Sequence, residues 1–164
     1  MTTTTAPTAL RVRPIDPAVL RQLRVQDDAG RPPVHCVDPT GGAPLRCCLT
    51  RARPGERIAL LSFAPLRRWA EETGVDPGPY DEQGPVFVHA EECGGAGPQW
   101  PGDFHGSERV LRAYDGRGHI LRGVPVTPDA AEAAARALLA DPEVAVVHVR
   151  ALAFGCFLHE IRRA

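Results

Sequence analysis

Residues 110–162 read VLRAYDGRGHILRGVPVTPDAAEAAARALLADPEVAVVHVRALAFGCFLHEIR, and this stretch decides the fold. Val110 to Tyr114 and His119 to Val126 are two β-prone runs separated by Asp115-Gly116-Arg117-Gly118, the composition of a hairpin turn. Thr127-Pro128-Asp129 opens a helix, and the Ala-rich run behind it predicts helix to about Ala140, ended by Asp141-Pro142. Val144 to Arg150 and Gly155 to Arg162 follow as two more strands, a second hairpin. Strands this numerous and this closely spaced exclude a chain of strand–helix–strand units. They predict an α+β class: a mostly antiparallel sheet with two or three helices packed on one face. In the strand 144–150 both alternating faces are apolar, so it is expected to be central and covered on both sides.

Upstream, Leu10 to Ile15 alternates apolar residues with Arg as a half-buried strand does, and Asp16-Pro17 supplies a cap and first-turn Pro for a short helix to about Val25. Leu45 to Leu49 has the look of a strand. Arg53-Pro54-Gly55-Glu56 is a turn, and the near-continuous apolar run Arg57 to Phe63 predicts a central strand. Pro65 to Glu72 has room for one or two helical turns, whereas Asp76-Pro77-Gly78-Pro79-Tyr80 cannot be helical. Pro85 to His89 is a strand, and Glu91 to Gly106 is a long Gly/Pro-rich loop of the kind that often carries function. Residues 1–9 are Thr-rich, with neither a basic start nor an apolar core, and are expected to be a dispensable disordered tail ahead of one domain over 10–164.

Composition narrows the chemistry. All 19 basic residues are Arg, so lysine Schiff bases, lysine bases and Walker-type phosphate loops are excluded. No apolar run approaches the ~20 residues of a membrane span. The five cysteines, with no export signal before them, are expected to be thiols in a reducing cytoplasm. In a strand, adjacent Cys47 and Cys48 would face opposite sides. Residues 1–68 hold 11 Arg against 5 acids, and residues 69–164 hold 8 Arg against 15 acids. That asymmetry fits two halves packing with complementary charge, or an Arg-lined site for a carboxylate or phosphate. A net charge of −1 and few aromatics argue against nucleic acid.

The motifs Arg46-Cys47-Cys48-Leu49, Pro54-Gly55-Glu56, Pro79-Tyr80, Gly84-Pro85-Val86-Phe87-Val88, Cys93, Arg112-Ala113-Tyr114-Asp115, His148-Val149 and Gly155-Cys156-Phe157, in this order, resemble a bacterial family described only as a domain of unknown function. The resemblance spans about residues 10–162 and implies a small stand-alone domain; it implies no reaction. Between His148-Val149 and Gly155-Cys156, where the family is associated with a polar stretch, this chain has Ala151-Leu152-Ala153-Phe154.

Several constellations could carry chemistry. His89-Ala90-Glu91 is similar to the zinc-site half of a nucleobase deaminase, but the Pro-Cys-x-x-Cys that completes that site is missing. A zinc site drawn from His89, Cys93, His148 and Cys156 is open to the residue types, yet no Cys-x-x-Cys pair supports it, and neither metal nor other cofactor is expected. Cys156 and His148, on facing strands of the last hairpin, could form a nucleophile and base. His89 and Glu91 are acid–base candidates beside a flexible loop, together with Asp115. Arg46 and Tyr80 are candidate ligand-binding residues, Arg46 for an anionic group. The expectation is a cofactor-independent enzyme acting on a small organic metabolite, or else a non-catalytic module that binds one.

Overall fold

The computed structural model describes residues 6–164. Residues 1–5 of the expected tail lie outside the described residues. At its other end, the Thr8 carbonyl accepts from Arg136 at 2.7 Å and the Ala9 carbonyl accepts from Ala164 N–H at 3.1 Å.

In chain order the elements are β1 (Leu10–Arg13), α1 (Pro17–Leu23), β2 (Val34–Asp38), β3 (Pro44–Leu45), β4 (Thr50–Arg51), β5 (Glu56–Phe63) and α2 (Pro65–Thr73). There follow β6 (Gly84–His89), β7 (Arg109–Tyr114), β8 (Ile120–Val126), α3 (Ala131–Ala140), β9 (Val146–Ala151) and β10 (Phe157–Arg163). The class is α+β, but the strands form two sheets where one was expected. One has the order β1-β10-β9-β7-β8 and is antiparallel throughout. The other has the order β2-β5-β6-β3-β4 and is antiparallel except for the β3–β6 pair.

β9 is the middle strand of the first sheet, as its two apolar faces require. Val147 and Val149 pack with Ala135, Leu138 and Leu139 of α3. On the opposite face Val146 packs with Leu66, Trp69 and Ala70 of α2. Helices therefore cover both faces of this sheet, a correction to the one-faced arrangement. The second sheet buries Ile58, Leu61, Val86 and Val88 with Leu20 and Leu23 of α1.

One sequence expectation fails locally, and one strand carries no signal in the sequence. β2 was passed over because its side chains are mostly exposed, which leaves no apolar pattern to read. The run 45–49 is not a strand: β3 stops at Leu45, and the chain then turns so that Leu49 N–H donates to the Leu45 carbonyl at 2.9 Å. Leu49 sits in the left-handed region at φ 56°, a strain on the order of 1 kcal/mol for a residue with a Cβ. All five side chains of 45–49 are buried nonetheless, and burial of a short apolar run does not distinguish strand from turn.

The sheets are joined at Arg46 and Phe157. Phe157 belongs to β10 yet packs in the core of the second sheet, its ring 5.4 Å from that of Phe63. Its carbonyl accepts from Arg46 Nε at 2.8 Å, while Arg46 Nη1 donates to the Pro44 carbonyl at 2.6 Å. Arg46→Met keeps the stem but leaves two carbonyls without these donors. It is expected to cost about 3 kcal/mol, since an unsatisfied buried acceptor costs ~1–3 kcal/mol. Urea denaturation reads the loss; an unchanged midpoint would show that the two sheets do not depend on this link.

Candidate functional site

The turn after β3 brings separate segments together. Leu45 lies beside Phe87 in the parallel β3–β6 pair, and Arg46 N–H donates to the Phe87 carbonyl at 2.9 Å. This register delivers Cys47 and Cys48 to the end of β6, where His89 stands, with Cys93 four residues farther on. One donor atom from each of Cys47, Cys48, His89 and Cys93 lies within 4.8 Å of every other. The two adjacent sulfurs, expected on opposite sides of a strand, are 3.9 Å apart because the segment is a turn.

The imidazole is oriented by a carboxylate. Glu56 Oε1 is 2.8 Å from His89 Nε2, and the other Glu56 oxygen accepts from Arg53 N–H at 2.7 Å. These contacts, with the Arg53 amide first, hold the Glu56 carboxyl below its ordinary pKa. A carboxylate accepts from Nε2–H, and in the neutral imidazole that tautomer leaves the lone pair on Nδ1. That nitrogen is 3.3 Å from Cys47 Sγ and 3.7 Å from Cys48 Sγ. Arg24 fixes the backbone here by donating to the His89 and Glu91 carbonyls.

The sulfurs are provided for as well. Cys47 Sγ accepts from His89 N–H at 3.2 Å, and Thr50 Oγ1 is 3.0 Å from Cys48 Sγ. Cys48 is pulled down to about 5, first by the Cys47 thiol and then by the Thr50 hydroxyl and amide, against the opposing effect of burial. Cys47 is pushed up by sharing its proton with Cys48 and by burial. Cys93 is the exposed member of the four.

The other sequence candidates lie apart. Glu91 is exposed and pairs with Arg57 at 2.6 Å. Tyr80 is on the surface, stacked on His119 with centroids 5.0 Å apart. Arg46 points away from the sulfurs to the Phe157 carbonyl. Asp115 caps its own hairpin, accepting from Arg117 N–H and His119 N–H. His148 is fully buried between Tyr114 and Phe157. The β9–β10 register sets Glu160 across from His148, and their nearest atoms are 3.7 Å apart. Cys156 lies outside β10, in the turn, where its carbonyl accepts from Ala151 N–H. The pairing of Cys156 beside His148 does not occur because the hairpin sets Phe157 across from Arg150 and Glu160 across from His148, which leaves Cys156 next to Ala151 in the turn. The missed residues are Cys47, Cys48 and Cys93 as a group, and Glu56. The pairs Cys47-Cys48 and His89-x-x-x-Cys93 were visible, but nothing in the sequence joins them across some forty positions.

A cavity of about 480 Å³ lies between β1, β10, α1 and α2, walled by Phe63, Trp69 and Phe157. Four of its charges are paired among themselves, Arg162 and Arg13 with Glu72 and Glu160, while Asp16 and Glu71 on its lining form no ion pair among the described residues.

A family profile described as "Protein of unknown function (DUF1203)" matches residues 42–163. The chain belongs to this family. All four clustered donors and Glu56 lie within the matched stretch of the DUF1203 chain. β1, α1 and β2 precede it, although β1 pairs with β10 and β2 with β5. No curated protein and no solved structure matches the chain. No described helix is long and apolar enough to cross a membrane.

Proposed function

We propose that this DUF1203 domain binds a thiophilic metal ion, with zinc favoured, through Cys47, Cys48, His89 and Cys93. The observation that carries the reading is the convergence of three sulfurs and one imidazole nitrogen within 4.8 Å. A tetrahedral zinc with Zn–S of about 2.3 Å requires sulfurs roughly 3.8 Å apart. The Cys47–Cys48 separation of 3.9 Å matches that span. The Glu56–His89 contact supports it too, since a carboxylate on the remote imidazole nitrogen is the usual outer partner of a metal-binding His. Three thiolates and one imidazole suit zinc or copper(I) over magnesium or calcium, which prefer oxygen. With four protein donors the ion would tie the loop after β6 to the turn after β3. Cys93, exposed on a Gly-rich segment, is the donor that could leave and open a coordination position for a small ligand.

Metal analysis of protein purified without a metal-affinity tag is expected to find close to one equivalent of zinc. Cobalt(II) reconstitution should give the visible absorption of a tetrahedral thiolate site. Metal well below one equivalent together with no cobalt–thiolate band would sink the proposal. Glu56→Gln should keep the fold and weaken zinc binding by about 10–100-fold, as removal of an outer-shell partner does. Competition with a chelating dye checks this; unchanged affinity would free Glu56 of the role.

A second reading is favoured by one arrangement: Cys48 Sγ, His89 Nδ1 and Glu56 in line, 3.7 Å and 2.8 Å apart at the two steps. In metal-free protein this is a thiol–imidazole–carboxylate relay able to attack an electrophilic carbon of a small organic substrate. Iodoacetamide labelling of chelated protein, followed by peptide mapping, is expected to mark Cys48 fastest under this reading. Labelling no faster than that of exposed Cys36 would count against it.

A further inference from the structure

Within and just after the same turn is a group of arginines that forms no ion pair with an acid. Arg46 and Arg109 are buried, at 3% and 4% exposure. A buried guanidinium ordinarily has a carboxylate partner. Yet neither Arg46, Arg109 nor nearby Arg51 takes part in any ion pair among the described residues. They are close enough to repel. Burial first, and then Arg109 and Arg51, bring Arg46 down to about 10, although Cys156 opposes them. Burial and Arg51 lower Arg109.

The guanidinium groups of Arg51 and Arg109 converge on one acceptor, the Phe104 carbonyl, at 3.5 Å and 2.9 Å. Arg109 Nη1 also donates to Ser107 Oγ at 2.6 Å, and its Nε is buried without a partner. Arg51 lies over Gly106, where a Cβ would be 3.5 Å from Arg51 Nη2. In front of Arg51 is a cavity of about 390 Å³ lined by Leu49, Thr50, Trp100 and Phe104. Asp103, exposed on its rim, pairs with neither arginine. Trp100 is backed by the buried pair His105 and His159, whose Nε2 atoms are 2.8 Å apart, with the His105 ring 4.9 Å from the Trp100 ring.

We propose that Arg51, with Arg109 behind it, binds the phosphate group of a small organic phosphate whose apolar or aromatic part lies in the cavity against Trp100. Arg51, held by the Gly42 and Phe104 carbonyls, presents the guanidinium to the cavity. Arg109, whose terminal nitrogens are taken by Phe104, Ser107 and Glu108, adds positive charge behind it. The cavity supplies the flat apolar wall that an inorganic ion would not use. None of the four clustered donors lines this cavity, although Thr50, whose hydroxyl touches Cys48 Sγ, does.

The test uses the full chain, with inorganic phosphate and phenyl phosphate as probes and chloride at matched ionic strength as control. Calorimetry and Trp fluorescence read binding. Phosphate is expected to bind where chloride does not, phenyl phosphate at least 10-fold more tightly than phosphate, and Arg51→Gln to lose at least 10-fold toward both. Arg51 is exposed, so its substitution leaves the fold intact. Trp100→Leu should remove the advantage of phenyl phosphate and spare phosphate itself. Binding unchanged in Arg51→Gln, or a response to chloride equal to that to phosphate, overturns the site. Equal affinity for the two phosphates overturns the organic part of the ligand.

Discussion

Acidification from pH 7 to pH 5 is expected to cost the chelated domain about 4 kcal/mol of stability, most of it through two histidines. Burial, followed by Arg109, lowers His105 from the ordinary 6.5 to about 4. Burial, followed by His105, lowers His159 to about 3. Each is neutral in the folded chain over this range, while the unfolded chain takes up protons below 6.5. Stability is therefore full above pH 6.5 and falls as pH drops toward the folded values. At pH 5 each group is about 1.5 units below its unfolded pKa, which is about 2 kcal/mol apiece at 1.36 kcal/mol per unit. His148, also lowered chiefly by burial, acts in the same direction. Glu72, held down to about 2 mainly by Arg162, titrates below this window. Chelation matters because acid would also strip a metal from thiolates. Urea denaturation at the two pH values measures the slope, and His105→Leu/His159→Leu should flatten it. A double variant as acid-sensitive as the parent would place the protons elsewhere.

The second large effect concerns the four donors. Zinc held at 1,000 times its dissociation constant adds about 4 kcal/mol of stability, so chelation is expected to lower the melting temperature and leave the domain folded. The fold survives because its cores rest mainly on aliphatic side chains, Leu111, Val149 and Ile161 in one sheet and Ile58, Leu61 and Val88 in the other, and Cys47 and Cys48 stay packed in the second as thiols. Cys48→Ser and His89→Ala should each weaken zinc by more than ~100-fold, beyond what an outer-shell change does. Cys93→Ser should cost only about 10-fold, because Cys93 is exposed on a loop that a water can replace. Competition titrations against a chelating dye give the ranking. Equal losses at all four positions would show that Cys93 is as fixed as the rest, and that the centre has no donor to release.

How much of this was legible in the sequence depends on the range of the interaction. The C-terminal half could be read because its signals are local: the Asp115–Gly118 turn, the Ala-rich helix, and the twofold apolar pattern of residues 144–150. The division into two sheets was not local. It depends on β3 pairing with β6 and on β2, an exposed edge strand without a pattern. The turn at 46–49 was misread for the same reason that Leu, Cys and Cys are buried there, since burial alone carries no period. His89 was found by its chemistry and Cys93 was grouped with it, but His148 and Cys156 stood where the structure has Cys47 and Cys48. Adjacent cysteines become neighbours on one side because 45–49 is a turn, closed from Leu49 N–H to the Leu45 carbonyl. No Gly, Pro or Asn within 45–49 marks that turn in the sequence. Arg46 was noticed for its charge, whereas its hydrogen bonds join the sheets and its unpaired neighbours Arg51 and Arg109 went unread.

Among the described residues β1 has its only strand partner in β10, residues 10–13 against 160–163. During synthesis, then, the first strand emerges and must wait while some 150 further residues are made, roughly 10 s or more at ribosomal speed. β9 waits as well, its backbone edge toward β10 unpaired until that strand arrives. A nascent chain stalled before residue 157 would carry two unmatched β-edges at once, which is the state in which a growing polypeptide most needs a chaperone.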